Sequence, residues 1–163
     1  MKIINNVDDF KSLKSIDLED IKTTKIDDLK RKDETKTRIM KYITYKKRTE
    51  PEVRNKFRGQ IEEQMLDEII EYLKEAKYLD DEDFIEKQVR EYTNLKTMSI
   101  KELKYKLYAK GLDRKLVEQY IEKHYEELKE YEEKCIEKIR NKRAGDTEEE
   151  INQYLYRKGY KCD

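Results

Sequence analysis

The residues most able to do chemistry lie in the run Asp80-Asp81-Glu82-Asp83, where four consecutive carboxylates could gather around a divalent cation. A calcium loop of the EF-hand kind needs acidic residues at alternating positions, a glycine at the sixth and a glutamate at the twelfth; the glycine is missing. Acidic residues are also what the first turn of a helix favours, because its unpaired N–H groups and its dipole attract negative charge. We therefore read the run as a helix start, not as a metal site. His124 is the single histidine, and no motif places a serine or cysteine beside it, so a structural or solvated role is expected. Cys135 falls on an apolar stripe and reads as core, whereas Cys162 lies near the end of the sequence. No Gly-x-x-x-x-Gly-Lys-Ser/Thr loop is present, so the chain is not expected to hydrolyse ATP. No catalytic residue, cofactor site or metal site is expected.

The elements that carry these residues are helices. Charged residues make up 47% of the 163 and hydrophobic ones 36%, yet the apolar residues recur at helical spacing, which points to thin amphipathic layers. One proline and four glycines leave little material for β-turns, and the abundance of Lys, Glu, Leu and Ile favours helix. The expected class is all-α. With two cysteines, no signal peptide and no apolar run of membrane-spanning length, a reducing cytoplasm is the expected location.

Residues 1–34 form a polar arm with scattered apolar positions; it reads equally as part-helical, with Asp8 or Ser15 as starts, and as a mobile segment. From Thr35, the residues Ile39, Met40, Tyr42 and Ile43 share a helix face that ends near Arg48. Thr49-Glu50-Pro51-Glu52 then combines an N-cap threonine, an early proline and a glutamate placed to complete a capping box. A short helix with Val53 and Phe57 inward follows, and Met65 to Leu73 mark a further amphipathic helix. After Tyr78-Leu79 the pattern restarts: a helix with Phe84, Ile85, Val89 and Tyr92 inward, a capping box at Ser99–Glu102, Leu103 and Leu107 inward, and Gly111 closing the helix. Asp113 caps a helix with Leu116, Val117, Tyr120 and Ile121; a long helix from about Tyr125 to Arg143 follows; Thr147–Glu150 is a third capping box, and Lys158-Gly159 closes its helix.

The three boxes at Thr49, Ser99 and Thr147 stand 50 and 48 residues apart. Sliding the third onto the second pairs Leu103 with Ile151, Leu107 with Leu155, Tyr108 with Tyr156, and Lys110-Gly111 with Lys158-Gly159. The first unit matches less closely, lacking the Lys-Gly ending. Each unit reads long helix, short helix, long helix, with the third stopping after two, and stacked neighbours are needed to bury a continuous core. The expected architecture is an elongated, curved tandem array: an arm over 1–34 and repeats over 35–78, 79–124 and 125–163.

The net charge is zero, with 38 basic and 38 acidic residues, but the charges come in blocks: +7 over residues 31–60, −8 over 61–91, +5 over 92–116 and −4 over 117–135. Blocks of this kind can steer partners even when the whole chain is neutral. The candidate contact residues are Arg38, Lys41, Lys46, Lys47, Arg48, Arg54, Lys56 and Arg58 in the first unit, Lys101, Lys104, Lys106 and Lys110 in the second, and Arg157 and Lys158 in the third. On this reading the short helices form a basic stripe for an acidic or phosphate-bearing partner. Among thirteen tyrosines, Tyr42, Tyr92, Tyr120 and Tyr131 fall on apolar faces, whereas Tyr45, Tyr105 and Tyr108 stand beside lysines and are the interface candidates.

Taken together, these residues resemble the RecX family, regulators of the RecA recombinase. The resemblance rests on Thr49-Glu50-Pro51-Glu52-Val53, on Tyr78-Leu79-Asp80-Asp81 with Phe84, on Ser99 through Glu102, on Leu107-Tyr108-Ala109-Lys110-Gly111-Leu112-Asp113 and on Tyr154 through Tyr160, and it covers about residues 36–161. It implies tandem three-helix repeats lying in the groove of the RecA–DNA filament as a monomer, restraining strand exchange, ATP turnover and co-protease activity, with direct binding of single- or double-stranded DNA a further property of the family. The chain departs from the pattern in its N-terminal arm, in Gly59-Gln60-Ile61 and in the missing third helix of the last unit. Two alternatives stand beside this reading: a helical DNA-binding module and a general protein-interaction solenoid, each acting without RecA.

Overall fold

The computed structural model describes residues 18–161, with side chains from residue 25 onward. Asp8, Ser15 and Cys162 lie outside the described residues. The chain divides into two units, residues 1–44 and residues 45–163. Among the described residues there are eight helices and no strand, so the class is all-α.

The first unit is built on α1 (Leu18–Tyr45). Neither glycine nor proline interrupts this stretch, and it runs as one helix of 28 residues through the point at which a new element was expected to begin, at Thr35. Thr35 does not cap anything; its hydroxyl donates back to the Arg31 carbonyl at 2.7 Å, the local bond a threonine makes inside a helix.

The second unit holds α2 (Glu50–Phe57), α3 (Glu63–Glu75), α4 (Asp81–Leu95), α5 (Ile100–Tyr108), α6 (Arg114–Lys123), α7 (Tyr125–Lys142) and α8 (Glu148–Arg157). Five of these seven starts have a side-chain cap. Thr49 and Thr147 form complete capping boxes with Glu52 and Glu150, and Asp80 and Asp113 accept from Asp83 N and Leu116 N, each at 3.1 Å. Ser99 makes only half of the expected box: it accepts from Glu102 N at 3.1 Å, but the Glu102 carboxylate turns to Lys106, 3.7 Å away. α6 and α7 are separated by His124 alone, which ends one and begins the other, so the helix after Asp113 has ten residues instead of being long.

Packing follows the apolar spacing. Phe84, Ile85 and Val89 of α4, Leu103 and Leu107 of α5, Val117 and Ile121 of α6 and Leu128 of α7 make one buried cluster, joined by Met98 and Leu112 from the connections. Cys135, Ile139, Ile151, Leu155 and Tyr160 make another between α7 and α8. Cys135 is thus a core residue, as its place on the apolar stripe implied.

The same polar junction occurs twice. The Thr49 hydroxyl donates to the Lys110 carbonyl at 2.9 Å, and the Ser99 hydroxyl donates to the Lys158 carbonyl at 2.7 Å. The first amide of α2, Glu50 N, donates to Asp81 at 3.1 Å; that of α5, Ile100 N, donates to Glu132 at 2.7 Å. Each of these two short helices therefore has its N-terminal N–H groups satisfied partly by its own cap and partly by a carboxylate from a later helix, α4 or α7. The glycines complete the fit. Gly111 (φ +77°) and Gly159 (φ +82°) hold left-handed backbone, and a Cβ would sit 2.7 Å from Pro51 Cβ at the first and 3.0 Å from Lys101 Cδ at the second. Pro51 and Lys101 are 50 residues apart, the spacing of the capping boxes. At the third box the hydroxyl of Thr147 donates to its own Glu150 at 3.0 Å. In the first repeat the Lys-Gly ending is replaced by Gly59 (φ +72°) in a short turn whose flanks, Arg58 and Ile61, form an isolated bridge.

Candidate partner-binding surface

A basic side chain can attract an anionic partner only to the extent that it is not already neutralised. Arg38 and Lys41 are exposed on α1. In the second unit, several candidates are committed internally. Lys47 pairs with Asp83, and Arg48 lies 4.0 Å from Glu52. Arg54 joins Glu50 at 2.8 Å and also Asp67. Lys104 pairs with Glu118 at 2.5 Å, Lys106 with Glu102, and Lys110 with Glu52 at 3.0 Å. The last of these crosses the junction that the Thr49 hydroxyl makes with the Lys110 carbonyl, so Lys110 is as much a repeat-to-repeat tie as a contact candidate. Lys46, Lys56, Arg58, Lys101 and Arg157 are exposed and carry no ion pair among the described residues. Lys158 is exposed, with its ammonium 5.9 Å from the centre of the Tyr154 ring.

The pairing has a repeat logic. Arg54 and Lys104, 50 residues apart, each bridge from a short helix to an acid on the next helix, Asp67 and Glu118. Glu50 shows the strength of this setting: burial pushes its carboxyl up, but hydrogen bonds from Arg54 and Lys74 outweigh that and hold it below its ordinary value. Tyr108 donates to Glu118 while Arg114 lies over its ring at 5.4 Å. Burial, and then the Glu118 carboxylate, raise its hydroxyl to about 12, so it remains a neutral donor. Of the three tyrosines expected at an interface, Tyr45 and Tyr105 are well exposed and Tyr108 is half-buried. Tyr42, Tyr92, Tyr120 and Tyr131 are all partly buried.

The features that first invited a chemical reading are structural. Asp80 caps α4, and Asp81 caps α2, a contact that nothing local in the sequence indicates. His124 stacks on Tyr120 with ring centres 4.4 Å apart and lies 3.3 Å from Glu127. Among the described residues no cluster of three or more His, Cys, Asp or Glu side chains is placed to hold a metal ion, and no helix is long and apolar enough to cross a membrane.

Beside α5 lies an open cleft of about 1280 Å³, reached by the N-terminal turn of α5, the corner between α6 and α7, and the end of α8. It gathers Lys101, Lys104 and Arg157 from the candidate residues and adds Lys161, Tyr125 and Tyr156, which sequence reasoning missed. Tyr156 aligns with Tyr108 in the repeat and lies in the Tyr154–Tyr160 stretch that carries the resemblance, yet the two tyrosines differ in exposure: one is half-buried against Glu118 and the other is 81% exposed.

No family model matches the chain. Individual proteins do. It is 30% identical over 130 residues to the regulatory protein RecX of Oceanobacillus iheyensis, an alignment that takes in 76% of this chain and 48% of that protein. The chain thus spans about half the length of the curated relatives it matches. Its structure is similar to the crystal structure of RecX from Lactobacillus salivarius, with a TM-score of 0.69 and 27% identity over 80% of this chain and 88% of that one. A second crystal structure of a regulatory protein RecX matches in fold, with a TM-score of 0.71 at 18% identity over 85% of this chain and 73% of that one. In sequence over three quarters of its length and in fold, the chain is similar to proteins named regulatory protein RecX.

Proposed function

We propose that this chain is a regulator that works by binding, without catalysis, and that its partner is the RecA recombinase filament on DNA in the cytoplasm. It lies in the filament groove as a monomer and mainly inhibits strand exchange, ATP turnover and co-protease activity. The observation that carries this reading is the likeness to proteins named regulatory protein RecX over three quarters of the chain. The side chains agree with a binding role: the carboxylates most suggestive of chemistry, Asp80 and Asp81, are spent on helix ends. Affinity comes from many weak contacts, with Lys101 and Arg157 in the last two repeats and Lys46, Lys56 and Arg58 in the first as anchors not already neutralised by ion pairs. Such contacts are screened over roughly 8 Å at 0.15 M salt, so binding weakens as salt rises.

The alternative of a DNA-binding module acting alone is less well supported, because Lys47, Arg54, Lys104, Lys106 and Lys110 are neutralised within the chain and release few counterions on meeting phosphate. The test is RecA ATPase and strand exchange with and without the protein. Inhibition at stoichiometric amounts is expected, and no effect on either rate refutes the reading. Retention of bare DNA with equal affinity in the absence of RecA would favour the alternative.

A further inference from the structure

The cleft beside α5 is larger than the roughly 300–1,000 Å³ usual for small-molecule pockets and is open to solvent, so its dimensions suit a segment of polypeptide. Its apolar lining includes Ile100 of α5 and Ile121 of α6, and Tyr125 and Tyr156 present rings that are 42% and 81% exposed. Tyrosines so placed supply large, stiff contact area with a polar tip.

The charges around the cleft are sorted by element. The end of α8 and the residues after it bring Arg157 and Lys161, and α5 brings Lys101; none of the three has an ion pair among the described residues. The corner between α6 and α7 brings Glu122 and Glu126, also exposed and without ion pairs, Glu127, which faces His124, and a single cation, Lys123; α7 adds Glu132, which accepts from Ile100 N. One internal pair, Lys104 with Glu118, links α5 to α6. A continuous phosphate backbone entering here would meet three carboxylates that repel it. A polypeptide carrying both signs would find a partner for each.

We propose that this cleft holds an amphipathic helix of a protein partner. Its apolar stripe packs on Tyr125 and Tyr156, its acidic residues face Lys101, Arg157 and Lys161, and its basic residues face Glu122 and Glu126. Recognition of this kind uses anchors three, four and seven residues apart on one helix face. The inference rests on the filament reading above and refines it: at this site the chain holds the RecA protein, not the DNA that RecA coats.

The two walls give the test its sign. Binding of the full chain to RecA filaments assembled on single-stranded DNA is measured by co-sedimentation for the wild type, for K101E/R157E/K161E, for E122K/E126K and for Y156A. All the altered side chains are exposed, and thermal melting followed by circular dichroism confirms that each variant is folded. The expected result is at least tenfold weaker binding for either charge-reversal variant and a several-fold loss for Y156A. Phosphate in the cleft would instead make E122K/E126K bind more tightly, and that outcome overturns the proposal. Wild-type binding with both reversal variants unaffected also overturns it while leaving the filament reading intact. A wild type that does not bind the filament sinks the filament reading, and the cleft assignment falls with it.

Discussion

Replacing Ser99 with alanine removes two hydrogen bonds from a side chain with no solvent exposure. One is the cap, in which the hydroxyl oxygen accepts from Glu102 N at 3.1 Å; the other runs to the next repeat, where the hydroxyl donates to the Lys158 carbonyl at 2.7 Å. Loss of an N-cap serine costs about 1 kcal/mol, within a range of roughly 0.5–2. Leaving the Lys158 carbonyl at this partly buried junction without its donor costs a further ~1–3 kcal/mol. S99A should therefore lower the free energy of unfolding by about 2–4 kcal/mol, read from urea titration followed by circular dichroism at 222 nm. Thr147 supplies the control. It heads an equivalent helix, but its hydroxyl is exposed and bonds only to its own Glu150, so T147A should lose the cap alone, about 1 kcal/mol. The difference between the two variants measures the bond across the repeats. S99A and T147A destabilising equally, to within about 0.5 kcal/mol, would refute the idea that the hydroxyl-to-carbonyl junction contributes to stability.

The glycine of the first junction and the carboxylate of the second give independent checks. G111A places an L residue at φ +77° with its Cβ 2.7 Å from Pro51 Cβ; left-handed backbone costs about 1–2 kcal/mol and overpacking about 1–3 more, so a loss of at least 2 kcal/mol is expected in the same titration. Burial raises the Glu132 carboxyl above its ordinary value of 4.5, although the Ile100 N–H that it accepts pulls the other way. A folded-state value above the unfolded one means that ionising Glu132 costs stability as pH climbs through that range, and that the cost is absent when the group is protonated in both states. E132Q keeps an oxygen for Ile100 N, so it should match the wild type near pH 4 and gain on it as pH rises to 7; thermal melting at a series of pH values reads the gap, and a gap that widens toward acid contradicts the assignment.

The parts of this fold that could be read in the sequence are those decided within one helical turn. Thr49, Thr147, Asp80 and Asp113 announce their helices because a cap and its N–H lie three residues apart. Gly111 and Gly159 mark helix ends for an equally local reason. What escaped was set by residues distant in sequence. Lys110 was a contact candidate because it is basic, but its ion pair is with Glu52, 58 residues earlier. The basic stripe looked continuous because the acids that interrupt it, Asp67, Asp83 and Glu118, arrive from other helices. Glu132 left a trace: with Leu128, Cys135 and Ile139 it lies on the line of the buried α7 stripe, and a carboxylate there signals a buried partner. The α1 helix before Thr35 was obscured by its polar composition, although nothing in it breaks a helix.

The two junctions also say something about how such a chain changes in evolution. At each of the two junctions one side presents a hydroxyl, a backbone N–H and a flat spot, and the other a helix-end carbonyl, a carboxylate and a glycine. The couplings are short, polar and the same from one to the next, so they act as a standard fitting. A segment of about 48–50 residues bringing both halves of that fitting could be duplicated or deleted in one genetic event without redesigning its neighbours, whereas an insertion within the cap or the helix end itself would break the pairing.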